Sequence, residues 1–529
     1  MRDLLVARAN DDNVALVIVE ATWTWAEHVA ESSRRAHWLL SQRRTDSPFH
    51  IGLLGGNSAE FSFWLGACAL AGAVAVGLNP TRSDVELARD AVHADCLVVL
   101  ADVGCMGRAA RIHDAGVPVA AMSRPGSAIG HRELPCTVPD AEVTAGDLLA
   151  LIFTSGTTTD PKAVQCSHGR LAHSGAMVGL MNELVSGDVV LVTMPMFHSN
   201  AIIAGWIPAM SVGASMVLGD FSARGFVAAL RERGVTYANY VGKTLSYALE
   251  VPQVSGDGDL PLRAIFGNEA SETSIHDFAL RFGCKVTDAY GSTEGGISLM
   301  RTDDTPRGSL GVAVGDVRVL AEDGNECPRA VIDERGHKVN LDEAIGELVN
   351  SGGRGGFEGY WKNDDADAAR VRSGRFHSGD LAWRDEAGFF WFAGRTGEWL
   401  RVDGENLAVA PIERVLAEYP GVLDVAVVAV ADPVAGDQIL ACLEMADPGA
   451  FEAASFADWC ERRDDLGAKE LPRHVHVCAA LPRTPTNKVK RVVVRQMGLA
   501  VQGPLWSRHG RDTHFTPTKA SRALLADPL

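Results

Sequence analysis

Short apolar runs of β-branched and aliphatic residues recur through the first 300 positions, and stretches with helical spacing lie between them. Runs of four to six such residues bounded by turn formers read as buried strands. They predict strands at Ile51–Leu54, Ala73–Leu78, Cys96–Leu100, Leu149–Phe153, Val189–Thr193, Ser215–Leu218, Tyr237–Tyr240 and Ala264–Gly267. Phe226–Arg233 and Ser271–Phe282 read as helices between strands. Alternation of this kind predicts an α/β architecture with largely parallel sheets. The run Phe61–Pro80 is uncharged and long enough to suggest a membrane span. Its small-residue break instead predicts a buried helix, Ala59–Leu70, ending at Gly72 before a strand, Ala73–Leu78. From about Asp316 the pattern changes to glycine-rich turns and short strands, through Arg395. A further unit follows, with a helix at Pro411–Glu418 and strands at Val425–Val430 and Ile439–Leu443. Residues Gly503–Leu529 are polar and basic without clear periodicity and read as a tail.

With 529 residues the chain is long enough for two or more domains at roughly 100–200 residues each. A net charge of −18 argues against a general binder of nucleic acid or anionic membranes, because no broad basic field is present to drive counterion release. Small anionic ligands need only local positive charge and stay open. The ten cysteines show no CxxC pair or metal-type spacing, so they read as reduced thiols of a cytoplasmic chain. MRDLLVARANDDN has no sustained apolar run, so no signal peptide is expected.

Five stretches carry candidate chemistry. TSGTTTDPK, Thr154–Lys162, gathers hydroxyls, a glycine and a lysine, which suits backbone and side-chain donors around phosphate. It lacks the Gly-x4-Gly-Lys-Ser/Thr spacing of a P-loop, and the nine residues alone fit a polar turn equally well. AYGSTEGG, Ala289–Gly296, offers an aromatic ring, a glycine, hydroxyls and a carboxylate. FHSGDL, Phe376–Leu381, is expected to place Asp380 in a tight turn, where a carboxylate could accept both hydroxyls of a ribose. GRTGEWLRVDGENL, Gly394–Leu407, holds Arg395 beside Gly397, which the residues alone read as an ordinary turn glycine. PRTPTNKVKR, Pro482–Arg491, places Lys488 in a loop. Each stretch taken singly also fits a structural turn.

Their order is more informative. TSGTTTDPK, PMFHSN, YGSTE, GELVNSGG with GYW, FHSGDL, GRTGEWLRVDGEN and PTNKVKR resemble, in sequence, seven motifs of the adenylate-forming acyl-CoA synthetase superfamily. That family also contains luciferases and peptide-synthetase adenylation domains. The resemblance runs from about Trp23 to Arg495. NYVGKTLSYAL and RTGEWLRVDGENLAVAPIE are similar to runs of the fatty-acid-transport-protein and very-long-chain synthetase branch; the bacterial FadD-type enzymes include members of this kind, some acting on sterol side chains. Transporter-like relatives carry an N-terminal membrane segment, and this chain is expected to lack one. The chain departs from the pattern at Thr159 and Ala163, which replace glycines of the phosphate loop and would stiffen or reshape it, and at Asn487, which tolerates left-handed backbone.

The resemblance implies a large N-terminal domain, residues 1–396, with parallel-rich sheets flanked by helices and a small β-barrel-like subdomain. It implies a small mobile α+β C-terminal domain, residues 397–502, pivoting at Gly397, then the tail, 503–529. ATP and CoA are the implied cosubstrates and Mg2+ the cofactor. Thr154, Ser155, Gly156, Thr157, Thr158 and Lys162 would hold the β- and γ-phosphates. Tyr290, Gly291 and Ser292, with Gly267, Asn268 and Glu269, would form the adenine side. Thr293 would contact the α-phosphate, Glu294 would bind the metal, and Asp380 and Arg395 would hold the ribose. Lys488 would bridge the carboxylate and the α-phosphate. His198, Trp206, Tyr240 and Gly242 would line the acyl pocket, although His198 also fits a buried structural histidine. Gly404 and Glu405 would border the CoA channel. The implied reaction converts a long- or very-long-chain fatty acid to acyl-AMP and then to acyl-CoA. Alternatives are a sterol side-chain acid, transfer to a carrier protein in place of CoA, or lipid binding with a degenerate ATP site. Glu294, Asp380, Arg395 and Lys488 are all present, which argues for activity. The resemblance leaves room for peripheral membrane contact and for a homodimer.

Overall fold

A computed structural model describes the chain except residues 20, 123–132, 155–161, 303, 333–338, 396–398, 403–404, 433–435, 464–465, 467–469, 484–488, 502, 509–514 and 519–529. The chain forms two compact units. One comprises Met1–Gly296 with Gly356–Ala369, the other Ile297–Gly355 with Arg370–Leu529.

All eight expected strands fall in two sheets of the first unit. One sheet has the spatial order Val119–Ala121, Cys96–Ala101, His50–Leu54, Val74–Leu78, Leu148–Thr154, Lys162–Ser167; every pair is parallel except the last. The other runs Lys285–Asp288, Ala264–Asn268, Tyr237–Val241, Val189–Val192, Ser215–Leu218, Val14–Val17, Thr22–Thr24, again parallel but for the last pair. Parallel strands covered on both faces explain the continuous apolar runs in the sequence.

The uncharged segment forms the helix Ala59–Ala71. Ser58 caps its start by accepting from the Phe61 amide, and Gly72 ends it at φ 68°. Among the described residues no helix is long and apolar enough to cross a membrane. Inside the unit, Ser62 Oγ accepts from Trp206 Nε1 at 2.9 Å and lies 2.8 Å from His28 Nε2. Burial, helped by the nearby Arg35 charge, pushes the His28 pKa down to about 3 from an ordinary 6.5. The unfolded chain therefore binds a proton at His28 that the folded chain refuses, so this residue's contribution to stability is present above pH 6.5 and lost as pH falls toward 3. We expect His28→Gln to lose less melting temperature than the parent between about pH 7 and pH 4.5, measured by circular dichroism.

In the second unit Arg375–Arg384 is the central strand of an antiparallel sheet with Val317–Leu320, Gly346–Asn350, Val371–Arg372 and Phe390–Arg395. A seven-stranded sheet follows, built on Val422–Asp432, Gly436–Met445 and His474–Cys478, with the helices Val409–Leu416 and Ala453–Glu461 beside it. Its core gathers Ile412, Leu416, Val427, Leu443, Phe456 and Val475. The helix expected at Pro411–Glu418 starts at Val409, which leaves Pro411 in the first turn, where its missing N–H is no loss. Part of the expected tail joins this sheet: Leu505–Ser507 pairs with His474–Cys478, and Thr516–Pro517 pairs with Leu505–Ser507. Leu505 and Ser507 are buried, and the Trp506 ring packs 4.7 Å from Phe451. Three residues are too few to show a strand period in the sequence.

Candidate active site

The phosphate-loop candidate is flanked by two paired strands. Leu148–Thr154 leads into it and Lys162–Ser167 returns antiparallel, so Thr154 and Lys162 face each other as strand partners. The Thr154 hydroxyl donates to the Lys162 carbonyl at 3.4 Å. Ser155, Gly156, Thr157, Thr158 and Thr159 lie outside the described residues. Ala163 belongs to the strand, pairs with Phe153 and is fully buried among apolar neighbours. Its methyl group therefore packs the sheet edge.

A second segment lies along this edge. The Gln165 amide donates to the Gly359 carbonyl, Val164 pairs with Tyr360, and the Trp361 amide donates to the Ala163 carbonyl. Directly opposite residues share a face of a sheet, so Tyr360 comes beside Lys162. The Lys162 ammonium sits 5.3 Å from the Tyr360 ring centroid, and the Tyr360 hydroxyl donates to Glu294 Oε1 at 2.9 Å. Glu358 fastens the far end of the hairpin, accepting from the Ser167 hydroxyl at 2.6 Å.

Beyond Lys285–Asp288 the chain has no regular structure through Tyr290, Gly291, Ser292, Thr293 and Glu294; Gly291 and Ser292 are exposed, and Tyr290, Thr293 and Glu294 half-buried. Thr293 Oγ1 is 2.9 Å from Ser199 Oγ of the PMFHSN stretch. The Thr293 carbonyl accepts from Arg170, whose guanidinium also donates to Gln165 O at 3.0 Å. Gly295, at φ 65°, passes so close to Arg170 that a Cβ would lie 2.6 Å from its Nη2. Among the described residues no group of three or more His, Cys, Asp or Glu side chains forms a metal cage. One half-buried carboxylate beside hydroxyls fits Mg2+, which commonly takes one or two protein carboxylates and completes its shell with phosphate and water.

The adenine-side candidates end the strand Ala264–Asn268. Gly267 lies against Tyr240: a Cβ there would meet the Tyr240 carbonyl at 2.1 Å. Asn268 O accepts from the Gly242 amide at 2.8 Å, and Glu269 holds a left-handed φ of 68°, uncommon outside glycine. Asp288 Oδ2 accepts from both the Ala270 amide, at 3.0 Å, and the Tyr240 hydroxyl, at 2.8 Å. Tyr240, expected in the acyl pocket, is instead buried in a core with Leu191, Phe226, Leu245 and Phe278. Strand alternation explains this, since Tyr237 and Asn239 occupy the opposite face, toward Ala204 and Asn200. His198 is half-buried, its ring 4.5 Å from Phe197. Trp206 is buried and closes a π-helical turn, Ile202–Trp206, a rare geometry frequent at functional sites.

In the second unit Asp380 lies within the strand Arg375–Arg384, which corrects the expected tight turn. The turn-forming residues make a bulge: the strand advances from His377 to Leu381 while its partner moves only from Val349 to Glu347. Gly379, at φ 73°, makes the kink, and its amide donates to Glu347 Oε1 at 3.0 Å. His377, 2.7 Å from Glu347 Oε2, supports the same bulge. Asp380 is buried, and Arg395 is its direct partner across the sheet. Gly397, Gly404 and Lys488 lie outside the described residues, as do the side chains of Arg395 and Glu405. On either side of Lys488, Arg483 pairs with Val489.

The model of the AMP-binding enzyme family matches residues 5–361, and that of the AMP-binding enzyme C-terminal domain matches residues 411–488. The chain belongs to the AMP-binding enzyme family. Medium/long-chain-fatty-acid–CoA ligase FadD17 of Mycobacterium marinum is 42% identical to this AMP-binding enzyme over 505 residues, 95% of this chain and 97% of its own. Steroid-22-oyl-CoA synthetase of Rhodococcus jostii is 40% identical over 532 residues, 99% of this chain and 96% of its own. The crystal structure of ATP-bound MatB from Rhodopseudomonas palustris superposes with a TM-score of 0.80 at 22% identity, covering 94% of this chain and 99% of that one, which shows a shared fold.

Within this AMP-binding enzyme the structure joins Lys162, Thr293 and Glu294 through Tyr360, Ser199 and Arg170, to which sequence reasoning gave no roles. Tyr360 and Ser199 fall inside quoted motifs. Arg170 carries no local signal, because its contact with Thr293 spans 123 residues.

Proposed function

We propose that this AMP-binding enzyme activates a fatty acid to acyl-AMP and then to acyl-CoA, releasing pyrophosphate and AMP. The near-full-length likeness to a fatty-acid–CoA ligase carries the proposal. A steroid side-chain acid is the second substrate class, favoured by the 40% identity to the steroid-22-oyl-CoA synthetase.

A free carboxylate is a poor electrophile, and its attack on ATP brings an anion to a polyanion. Fixed positive charge and preorganised donors must therefore dominate. Lys162 and the donors Thr154, Ser155, Gly156, Thr157 and Thr158 hold the β- and γ-phosphates. Thr293 meets the α-phosphate. Glu294 would hold a Mg2+ ion, which would supply charge neutralisation for the phosphates. Tyr290 stacks on adenine beside Gly267, Asn268 and Glu269, with Gly291 and Ser292 in the same loop. Asp380 accepts from the ribose hydroxyls beside Arg395. Lys488 neutralises charge between the carboxylate and the α-phosphate. His198 and Trp206, with Gly242 nearby, border the acyl pocket.

Residues 1–396 act as one domain and residues 397–502 as the smaller one, whose sheet the strands Leu505–Ser507 and Thr516–Pro517 extend. For the second half-reaction the smaller domain turns about Gly397, withdraws Lys488 and opens a CoA channel bordered by Gly404 and Glu405. We expect Gly397→Pro to slow thioester formation by roughly tenfold or more while pyrophosphate release from the first step persists, because proline removes the φ freedom a pivot needs. Equal slowing of both steps in single-turnover assays would refute a hinge at this position.

Pyrophosphate release with ATP and Mg2+, with and without CoA, across straight-chain acids and a steroid side-chain acid tests the assignment. CoA-dependent turnover with straight-chain acids supports the fatty-acid ligase. Preference for the steroid acid transfers the enzyme to the second class. Release that a holo-carrier protein stimulates and CoA does not would point to a carrier-loading ligase, and no release with any acid would refute the proposal.

A further inference from the structure

We infer that Tyr360 is a positioning residue for the ATP site, orienting the Glu294 carboxylate with its hydroxyl while its ring face seats the Lys162 ammonium. The inference rests on the ATP-dependent function proposed above.

Tyr360 is 2% exposed, and its surroundings hold it from several sides. Its amide donates to Asp367 Oδ1 at 2.8 Å, and its ring meets Phe357 edge-on at 5.1 Å. The next residues are anchored too: Trp361 Nε1 and the Lys362 ammonium both donate to Asp95, at 3.0 and 2.6 Å. Gly359, at φ 107°, lets the segment lie this close, since a Cβ would come within 2.9 Å of both Asp367 and Gln165 side chains. The phenol is therefore a fixed point between two charged groups that face the same ligand. Its hydroxyl engages Oε1 of Glu294, and among the described residues no hydrogen bond to the other oxygen is found, which suits it to a cation. Its ring meets Lys162 by an attraction that requires no competing anion. Packing alone would be satisfied by phenylalanine, so the hydroxyl is the diagnostic atom.

The test is binding of Mn2+–ATP, followed by the manganese EPR signal, in the parent, Y360F, Y360L, E294Q and the Y360F/E294Q double variant. Partners that orient metal ligands typically carry 10–100-fold in affinity, so Y360F should weaken metal binding about tenfold with melting temperature unchanged. ATP affinity without metal should hold in Y360F and fall in Y360L, where the ring is gone. In the E294Q background Y360F should add nothing, because its effect runs through that carboxylate. Metal binding by Y360F within about twofold of the parent overturns the inference, as does an undiminished effect in E294Q. A parent that binds no Mn2+–ATP overturns the proposed function itself, and this inference falls with it.

Discussion

Lys488→Met is expected to slow pyrophosphate release by about 10²–10³-fold while leaving thioester formation from supplied acyl-AMP close to the parent rate. A preorganised charge at the developing transition state carries about 2.7–4 kcal/mol, and only the first half-reaction brings a carboxylate onto a phosphate. Neighbouring cations are poor substitutes. Arg491 is committed to Glu413, its Nε 3.1 Å from the carboxylate, and Lys490 is the cap residue of the helix Arg491–Met497. Lys490→Met should therefore leave adenylation nearly unchanged. Both half-reactions slowing together in Lys488→Met, or Lys490→Met giving the larger loss, would remove Lys488 from the chemistry.

Gly267→Val should lose about 3 kcal/mol of stability, the upper range for forcing atoms into a packed interior. The new Cβ would meet the Tyr240 carbonyl at 2.1 Å and two Tyr240 ring atoms at 2.6 Å, and backbone in mid-sheet cannot yield cheaply. Tyr240 would also be pushed away from Asp288, releasing the carboxylate that holds the Ala270 amide. Thermal protection by ATP should vanish along with the stability. Gly242→Ala is the informative contrast. Among the described residues nothing lies within 4 Å of its added Cβ, and its φ of 56° resists the change, so a loss of about 1 kcal/mol is expected. Equal melting temperatures for the two variants would contradict the close contact at Gly267.

The sequence made the strands of the first unit legible because buried parallel strands are unbroken apolar runs. Ser58 and Gly72 likewise marked both ends of the helix Ala59–Ala71. FHSGDL misled, since glycine and aspartate signal a turn whether the chain reverses or only bulges, and register across the sheet decides between them. Tyr240 was misplaced for a related reason: its segment matches an acyl-pocket run, but the face of a strand is fixed by one-residue alternation. Arg170 was invisible, because a guanidinium on a carbonyl far along the chain leaves no local pattern. Thr293 and Glu294 were legible as a motif, while the groups that aim them were legible only in three dimensions.

The return of residues Gly356–Ala369 to the first unit has a consequence for biosynthesis. Val164 and Tyr360 pair across roughly 200 residues, and at roughly 5–20 residues per second the hairpin leaves the ribosome about 10–40 s before its edge partner. For that interval the strand Lys162–Ser167 has an unpaired outer edge, a template for wrong strands on nascent neighbours. Slow translation between these segments should therefore lower soluble yield, and a chain truncated before Gly356 should aggregate although both large sheets are already encoded.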